Sequence, residues 1–195
     1  MEFKWMNESS LRNENGKLTI DAPAKTDFFR YGTCDSEAKD SASVVDNAPF
    51  YYTEVEGDFV LRVKVSHEFK EVYDAAAILV LKDETCWAKS CYETSDFGTR
   101  AVVSVVTMGD SDDANGCNLE GDSVWLQVCR VGKYFSFHYS VDGEKFDMMR
   151  YFTLPVDPIV KVGLVAQSPI GGGGPRYFEH LSIEQRTVEN LRMGK

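Results

Sequence analysis

Ala75-Ala76-Ala77-Ile78-Leu79-Val80-Leu81 is the stretch that decides the fold. It is the longest apolar run in the chain, and its seven residues suit a strand buried on both faces. A helix crossing a bilayer would need ~20 such residues. Upstream, Phe59-Val60-Leu61-Arg62-Val63-Lys64-Val65 alternates apolar with basic side chains, as a strand with one wet face does. Leu18-Thr19-Ile20-Asp21-Ala22 alternates too, until Pro23 stops it. Downstream, Lys82-Asp83-Glu84 turns the chain into Trp87-Ala88-Lys89-Ser90-Cys91-Tyr92-Glu93, and Asp96-Phe97-Gly98 turns it again into Ala101 to Thr107. Val124 to Arg130, Tyr134 to Ser140, Phe146 to Phe152, Ile159 to Ala166 and Tyr177 to Ile183 continue the pattern. Val131-Gly132-Lys133 links two of these strands, and Asp142-Gly143 is a two-residue hairpin signal. Roughly ten to thirteen hairpin-joined strands mean an all-β fold, an antiparallel sandwich or jelly roll. A single domain over residues 1–187 is expected, then a tail over 188–195 that forms a short helical turn or frays. Ser36 to Asn47 reads as a polar loop.

Composition narrows the function. The 195 residues are 43% hydrophobic, which excludes general disorder. The net charge of −10 argues against nucleic acid, whose phosphates need a basic footprint, and against docking on anionic lipid. The opening Met1-Glu2-Phe3-Lys4-Trp5 has no basic start and no apolar core, so no signal peptide is expected. Five cysteines at irregular spacing, with no C-x-x-C, point to reduced thiols in the cytoplasm and away from a zinc site.

An ordered set of short motifs resembles a known family. Phe3-x-Trp5, Thr26-Asp27-Phe28-Phe29, Tyr73-Asp74-Ala75-Ala76-Ala77, Trp87-Ala88-Lys89 and Tyr92-Glu93 come first. Ser104-Val105-Val106-Thr107, Ser111-Asp112, Trp125-Leu126-x-Val128-x-Arg130, Tyr139-Ser140-x-Asp142-Gly143, Arg150 and Gly163-x-x-Ala166-x-Ser168-Pro169 follow. Together they resemble the domain family of unknown function named for regulation of enolase. That resemblance covers nearly the whole chain and implies a concanavalin A-like lectin/glucanase fold. Its fold relatives bind or cleave glycans, and one branch is linked to control of a glycolytic enzyme. The chain departs from the family at Ala75 and Ala77 (usually Gln and Gly), at Asp113 (usually Trp) and at Gln127 (often Arg).

Alternation places Trp87, Lys89, Cys91 and Glu93 on one side of their strand. An indole beside a Lys and a Glu makes a plausible sugar platform, the ring stacking and the charges holding hydroxyls. The plainer reading is a half-exposed strand with a modest surface ion pair. Arg130 shares a side with Val124, Leu126 and Val128, so it is the polar end of a buried face or an edge residue. Arg150 follows the hairpin signal and is expected to reach a shared cleft. A buried Arg needs a carboxylate, with Glu93 or Asp74 the natural partner. The expected ligand residues are therefore Trp87, Lys89, Glu93, Asp74, Arg130 and Arg150.

Other chemistries leave weaker traces. The E-x-D-x-x-E strand of concanavalin-type glucanases is absent. Glu93-x-x-Asp96 is its nearest echo, and its odd spacing puts the carboxylates on opposite faces if the strand continues. Asp74 with Glu93 remains a possible catalytic pair. Asp110-Ser111-Asp112-Asp113-Ala114-Asn115-Gly116, ending at Asp122, shadows a calcium loop but starts with Ser and lacks the final Glu; a solvated loop with Asx turns suits it better. Gly171 to Gly174 lacks the Gly-Lys ending of a phosphate loop and reads as a rim loop of left-handed turns beside the site. His67, His138 and His180 are scattered without metal-ligand spacing. The expectation is a non-catalytic module binding a carbohydrate or sugar-derived ligand on a sheet face, with no metal and no cofactor. The alternatives are a protein-interaction regulator of a central metabolic enzyme and a glycoside-active enzyme.

Overall fold

The computed structural model describes residues 1–34 and 42–195. Two seven-stranded sheets pack face to face. The first runs in the order β1 (Lys4–Met6), β6 (Phe50–Glu56), β15 (Ile159–Gln167), β8 (Ala75–Asp83), β9 (Cys86–Thr94), β10 (Arg100–Met108) and β11 (Asp110–Asn118). The second runs β14 (Asp147–Thr153), β13 (Tyr134–Ser140), β12 (Ser123–Val131), β7 (Phe59–His67), β16 (Gly174–Glu184), β3 (Lys17–Ala22) and β2 (Leu11–Glu14). A hairpin of β4 (Phe28–Tyr31) and β5 (Ser43–Asp46) forms a separate two-stranded sheet that packs on the outer face of the first. Neighbouring strands of β8 run antiparallel on either side. No helix occurs among the described residues.

The chain is all-β, and the run at Ala75 lies in the middle of its sheet, wholly buried between β15 and β9. One core fills the space between the sheets: Ile78 and Val80 meet Leu61, Val63, Leu126, Phe135 and Phe178. A second core lies on the outer face of the first sheet. There Ala75, Ala77, Leu79, Trp87, Cys91, Val103 and Val165 are covered by Phe28, Ala48 and Phe50. That cover explains why β8 is apolar on both faces. Gly163 lets β6 and β15 lie close, since a Cβ there would overlap the Tyr51 carbonyl.

Three expectations change, and a fourth, at the C-terminus, is decided between its alternatives. The acidic segment is strand β11, paired along β10 through Thr107↔Ser111 and Val105↔Asp113. Its backbone is satisfied by the ladder, and its alternating side chains disperse the carboxylates instead of gathering them around an ion. The polar loop from Ser36 includes strand β5, while residues 35–41 lie outside the described part. Asp142-Gly143 sits inside a loop spanning 141–146, where the Asp142 carboxylate accepts the N–H groups of Glu144 (2.8 Å) and Lys145 (2.9 Å). The C-terminal residues do not fray but close in a single turn, in which Met193 (3.1 Å) and Gly194 (2.9 Å) donate their N–H groups to the Asn190 carbonyl. Val188 is buried against Val60 and Cys129, and Gln127 donates from Nε2 to the Gly194 carbonyl at 3.4 Å.

Candidate functional site

Strand β9 sends Ala88 and Tyr92 into the core between the sheets and Trp87 and Cys91 to the outer face, as alternation requires. Lys89 and Glu93 share that outer face. Along the row through Glu93 the cross-strand neighbours are Ala75 and Ala101, with Gln167 beyond Ala75. Two methyl groups beside one long side chain leave the row underfilled. The result is a cavity of about 300 Å³. Lys89, Glu93, Val103 and Val105 form its floor, and Asp27, Phe29, Tyr73, Asp96, Asp113, Gln167, Pro169 and Ile170 form its walls.

A hydrogen-bonded chain organises the cavity. Lys89 Nζ donates to Asp27 Oδ1 at 2.7 Å and to Gln167 Oε1 at 3.0 Å. Gln167 Nε2 donates onward to the Tyr73 carbonyl at 3.2 Å, and the Tyr73 hydroxyl donates to Asp96. Tyr73 holds φ at 66°, a left-handed conformation that a bulky residue rarely takes. Its N–H donating to the Thr94 carbonyl at 2.8 Å helps hold that backbone. Behind the floor, Arg176 joins the two sheets. It pairs with Asp74 at 3.2 Å and donates from Nη2 to the Gln167 carbonyl at 2.8 Å. Ser168 donates to Asp74 at 2.6 Å and accepts the Gly173 N–H at 3.1 Å, which ties the glycine loop to the same anchor. At Gly171 a Cβ would come 2.7 Å from Ser168 Oγ and 2.9 Å from Asp74 Oδ1, so the loop can lie this close only with glycine there.

Glu93 is the group this network leaves out. It is 7% exposed, and its carboxyl has the Cys91 thiol as a weak hydrogen-bond donor but accepts no N–H or O–H bond from the described residues. Burial pushes its pKa up to about 8; Lys89 opposes the shift, while Asp113 and Asp27 add to it. Burial alone would lower Lys89, but the Asp27 charge and hydrogen bond outweigh it, and the ammonium is held above its ordinary value. Asp113, on the exposed edge strand but facing the cavity, is raised by desolvation. The Tyr73 hydroxyl is pushed up to about 12, first by its bond to Asp96 and then by burial. Near neutral pH the cavity thus holds one neutralised ammonium, a largely protonated acid and free carboxylate oxygens.

The expected ligand residues part company here. Lys89 and Glu93 line the cavity. Trp87 does not: at 1% exposure it packs edge-on to Phe28 with centroids 6.0 Å apart, because the segment around β4 covers the face where a sugar would have to lie. Asp74 sits behind the floor as the partner of Arg176. Arg130 is at another end of the sandwich. It finds no carboxylate but donates to the carbonyls of Gly132 (2.8 Å), Pro158 (2.9 Å) and Asp157 (2.8 Å), which spread its charge over three backbone dipoles. Arg150 bridges the sheet edges to Asp112 at 3.0 Å. Glu93 and Asp96 share one cavity because β9 ends at Thr94 and the following turn folds Asp96 back. Asp27, Tyr73, Asp96, Asp113 and Gln167 were not expected as ligand residues. The signal for the first two was their place in the shared motifs at Thr26-Asp27 and Tyr73-Asp74. Of the departures from the family pattern, Ala75 borders Glu93 and Asp113 lines the wall, while Gln127 lies on the other sheet.

These features define an all-β sandwich carrying a half-open, acid-rich cavity on the outer face of one sheet. The chain belongs to the family described as "Protein of unknown function (DUF1349)", which matches residues 5–186. "Regulation of enolase protein 1" of Saccharomyces cerevisiae is 30% identical over 186 residues, 92% of this chain and 87% of the yeast protein. A crystal structure of a functionally unknown protein from the same yeast superposes with a TM-score of 0.84 at 28% identity, covering 95% of this chain and 97% of that one. Two more distant likenesses show the fold alone. The carbohydrate binding module CBM66 from Bacillus subtilis matches at TM-score 0.56 and 9% identity, over 93% of this chain and 95% of the module. Xylan beta-1,4-xylosidase from Bacillus halodurans matches at 0.65 and 12% identity, over 88% of this chain but 33% of the enzyme.

Proposed function

We propose that this protein is a non-catalytic binding module that takes a carbohydrate or sugar-derived polar ligand in the cavity over β9 and β10. One observation carries the reading. A preorganised polar chain from Lys89 to Asp96 stands beside the apolar side chains of Val103, Val105 and Ile170, and the buried Glu93 carboxyl between them has only the weak donor of the Cys91 thiol beside it among the described residues. Few, fixed polar groups set in an apolar pocket are what orient a small ligand. Resemblance in fold to a carbohydrate binding module supports the choice of ligand class, as analogy. Phe29 and Tyr73 supply aromatic surface in the lining, and Phe97 is 81% exposed on the turn beside Asp96. The thiols of Cys34, Cys86, Cys91, Cys117 and Cys129 are all free, which suits a reducing, cytoplasmic setting.

A glycan array followed by calorimetric titration tests the reading. Binding of a sugar that Lys89→Met abolishes is the expected result, and failure of every sugar would refute it. Chromatography of the bound glycan should return it uncleaved; a shortened product would make the cavity a hydrolase site. A second reading, a regulator that docks on a central metabolic enzyme, is supported by the name of the yeast relative. Capture of purified enolase without any sugar affinity would favour it.

A further inference from the structure

The cavity's lining carries four carboxyl groups, Asp27, Glu93, Asp96 and Asp113, against the single ammonium of Lys89. Lys89 already donates to Asp27 and Gln167, the Gln167 amide to the Tyr73 carbonyl, and the Tyr73 hydroxyl to Asp96. The carboxyl groups left over for a ligand are the buried Glu93 and, at the rim in the same lining, Asp113. An anionic ligand would meet this excess of carboxyl groups. A neutral sugar would satisfy Glu93 through one hydroxyl. An ammonium would satisfy several oxygens at once and offset the charge that burial makes costly. Resting on the sugar-binding reading above, we propose that the cavity selects an amine-bearing sugar, whose ammonium sits between Glu93 and Asp113.

The Lys89 ammonium does not forbid this, because Asp27 at 2.7 Å already neutralises it. The groups facing Glu93 are Lys89 and the Cys91 thiol on its own strand, Asp27 before β4, Tyr73 before β8, Asp96 after β9 and Asp113 on β11. Around neutral pH the buried Glu93 carboxyl carries a proton. An arriving ammonium favours the carboxylate, so binding releases that proton to solvent. Affinity therefore rises as pH climbs from 6 to 8 while the amine stays charged.

The test compares sugars that share one skeleton. Glucose, glucuronate, 2-amino-2-deoxyglucose and 6-amino-6-deoxyglucose are titrated into the full chain at pH 7 in two buffers of different ionisation enthalpy. Ethanolamine serves as an amine without a sugar ring. The expected result is at least about tenfold tighter binding of an amino sugar than of glucose, with glucuronate weakest. Release should approach one proton per ligand, read from the buffer dependence of the heat. Glu93→Gln should remove both the preference and the release; Asp113→Asn, on the exposed edge, should weaken the preference without threatening the fold. Equal affinity for glucose and the amino sugars, or retention of the preference in Glu93→Gln, would overturn the inference and leave the sugar reading standing. Binding of ethanolamine alone, dependent on Glu93, would uphold the cation site and overturn the sugar reading. Failure of all five compounds would overturn the inference and leave the sugar reading to the glycan array.

Discussion

The two sheets each turn a polar row outward and each row is roofed by chain from elsewhere, but the two roofs treat their rows differently. One presses onto Gln127 and His138 and leaves open space only to their side, by Arg62, while the other leaves a cavity directly over Glu93. On the second sheet Gln127 and His138 are wholly buried beneath the C-terminal residues. Arg62 donates to Gln127 Oε1 at 2.5 Å, and Gln127 Nε2 reaches the carbonyl of Gly194, whose φ of 68° and lack of Cβ let it sit directly on the amide. On the first sheet the segment before β4 brings Asp27 to Lys89 but nothing to Glu93. Both rows contain buried polar side chains of the kind that sequence reading nominates as sites. The cover decides which one is structural. On the second sheet it lies directly on the row and shuts out a ligand, even though His138 Nε2 is left without a partner among the described residues. Over Glu93 it stops short and leaves room for one.

This contrast can be broken most forcefully at the seal. Deleting residues 188–195 removes Val188 and Leu191 from their places against Val60, Cys129 and Val131, and should cost about 2–4 kcal/mol in urea unfolding. Burial keeps the His138 pKa below its ordinary value; in the shortened chain, imidazole signals followed by NMR should show it rising toward that value. Cavity binding should survive the deletion. Unchanged stability, or loss of sugar binding, would end the distinction between the two rows.

Lys89→Met tests the open row. It strands Asp27, whose side chain is 16% exposed, beside a greasy floor, and a loss of about 2 kcal/mol is expected along with loss of ligand binding. Glu93→Gln should act in the opposite direction and depend on pH. Glu93 titrates near 8 in the fold against 4.5 when unfolded, so the folded chain holds the extra proton between those values. That contribution is fully present below pH 4.5 and fades as pH rises through 8. The variant should equal the parent near pH 5 and exceed it by about 1 kcal/mol or more at pH 8.5, measured by urea midpoints. Tyr73→Phe gives the smallest effect, a destabilisation of about 0.5 kcal/mol, because Asp96 is exposed and water replaces the phenol.

Much of the frame was legible in the sequence. The all-apolar run at Ala75 marked a covered central strand, and alternation along β9 put Lys89 and Glu93 together on one face. Trp87 went astray for a physical reason: parity names a face but not what lies over it, and Phe28 arrives from a distant segment. β11 was hidden because edge pairing is a backbone matter and its side chains carry no apolar signature. The Asp74–Arg176 pair was equally hidden, since its members come from opposite sheets and meet only when the sandwich closes.

Strand β11 also bears on how the molecule behaves among its own copies. It is the last strand of the first sheet, and Asp110, Asp112 and Asp113 stand along it. A rim so charged repels any second rim that would dock and extend the sheet from one molecule to the next. Acidification below the carboxylate range would silence that repulsion. Crowded solutions of this protein should therefore stay clear at neutral pH and thicken into edge-joined assemblies in acid, beginning at the strand that looks least like one.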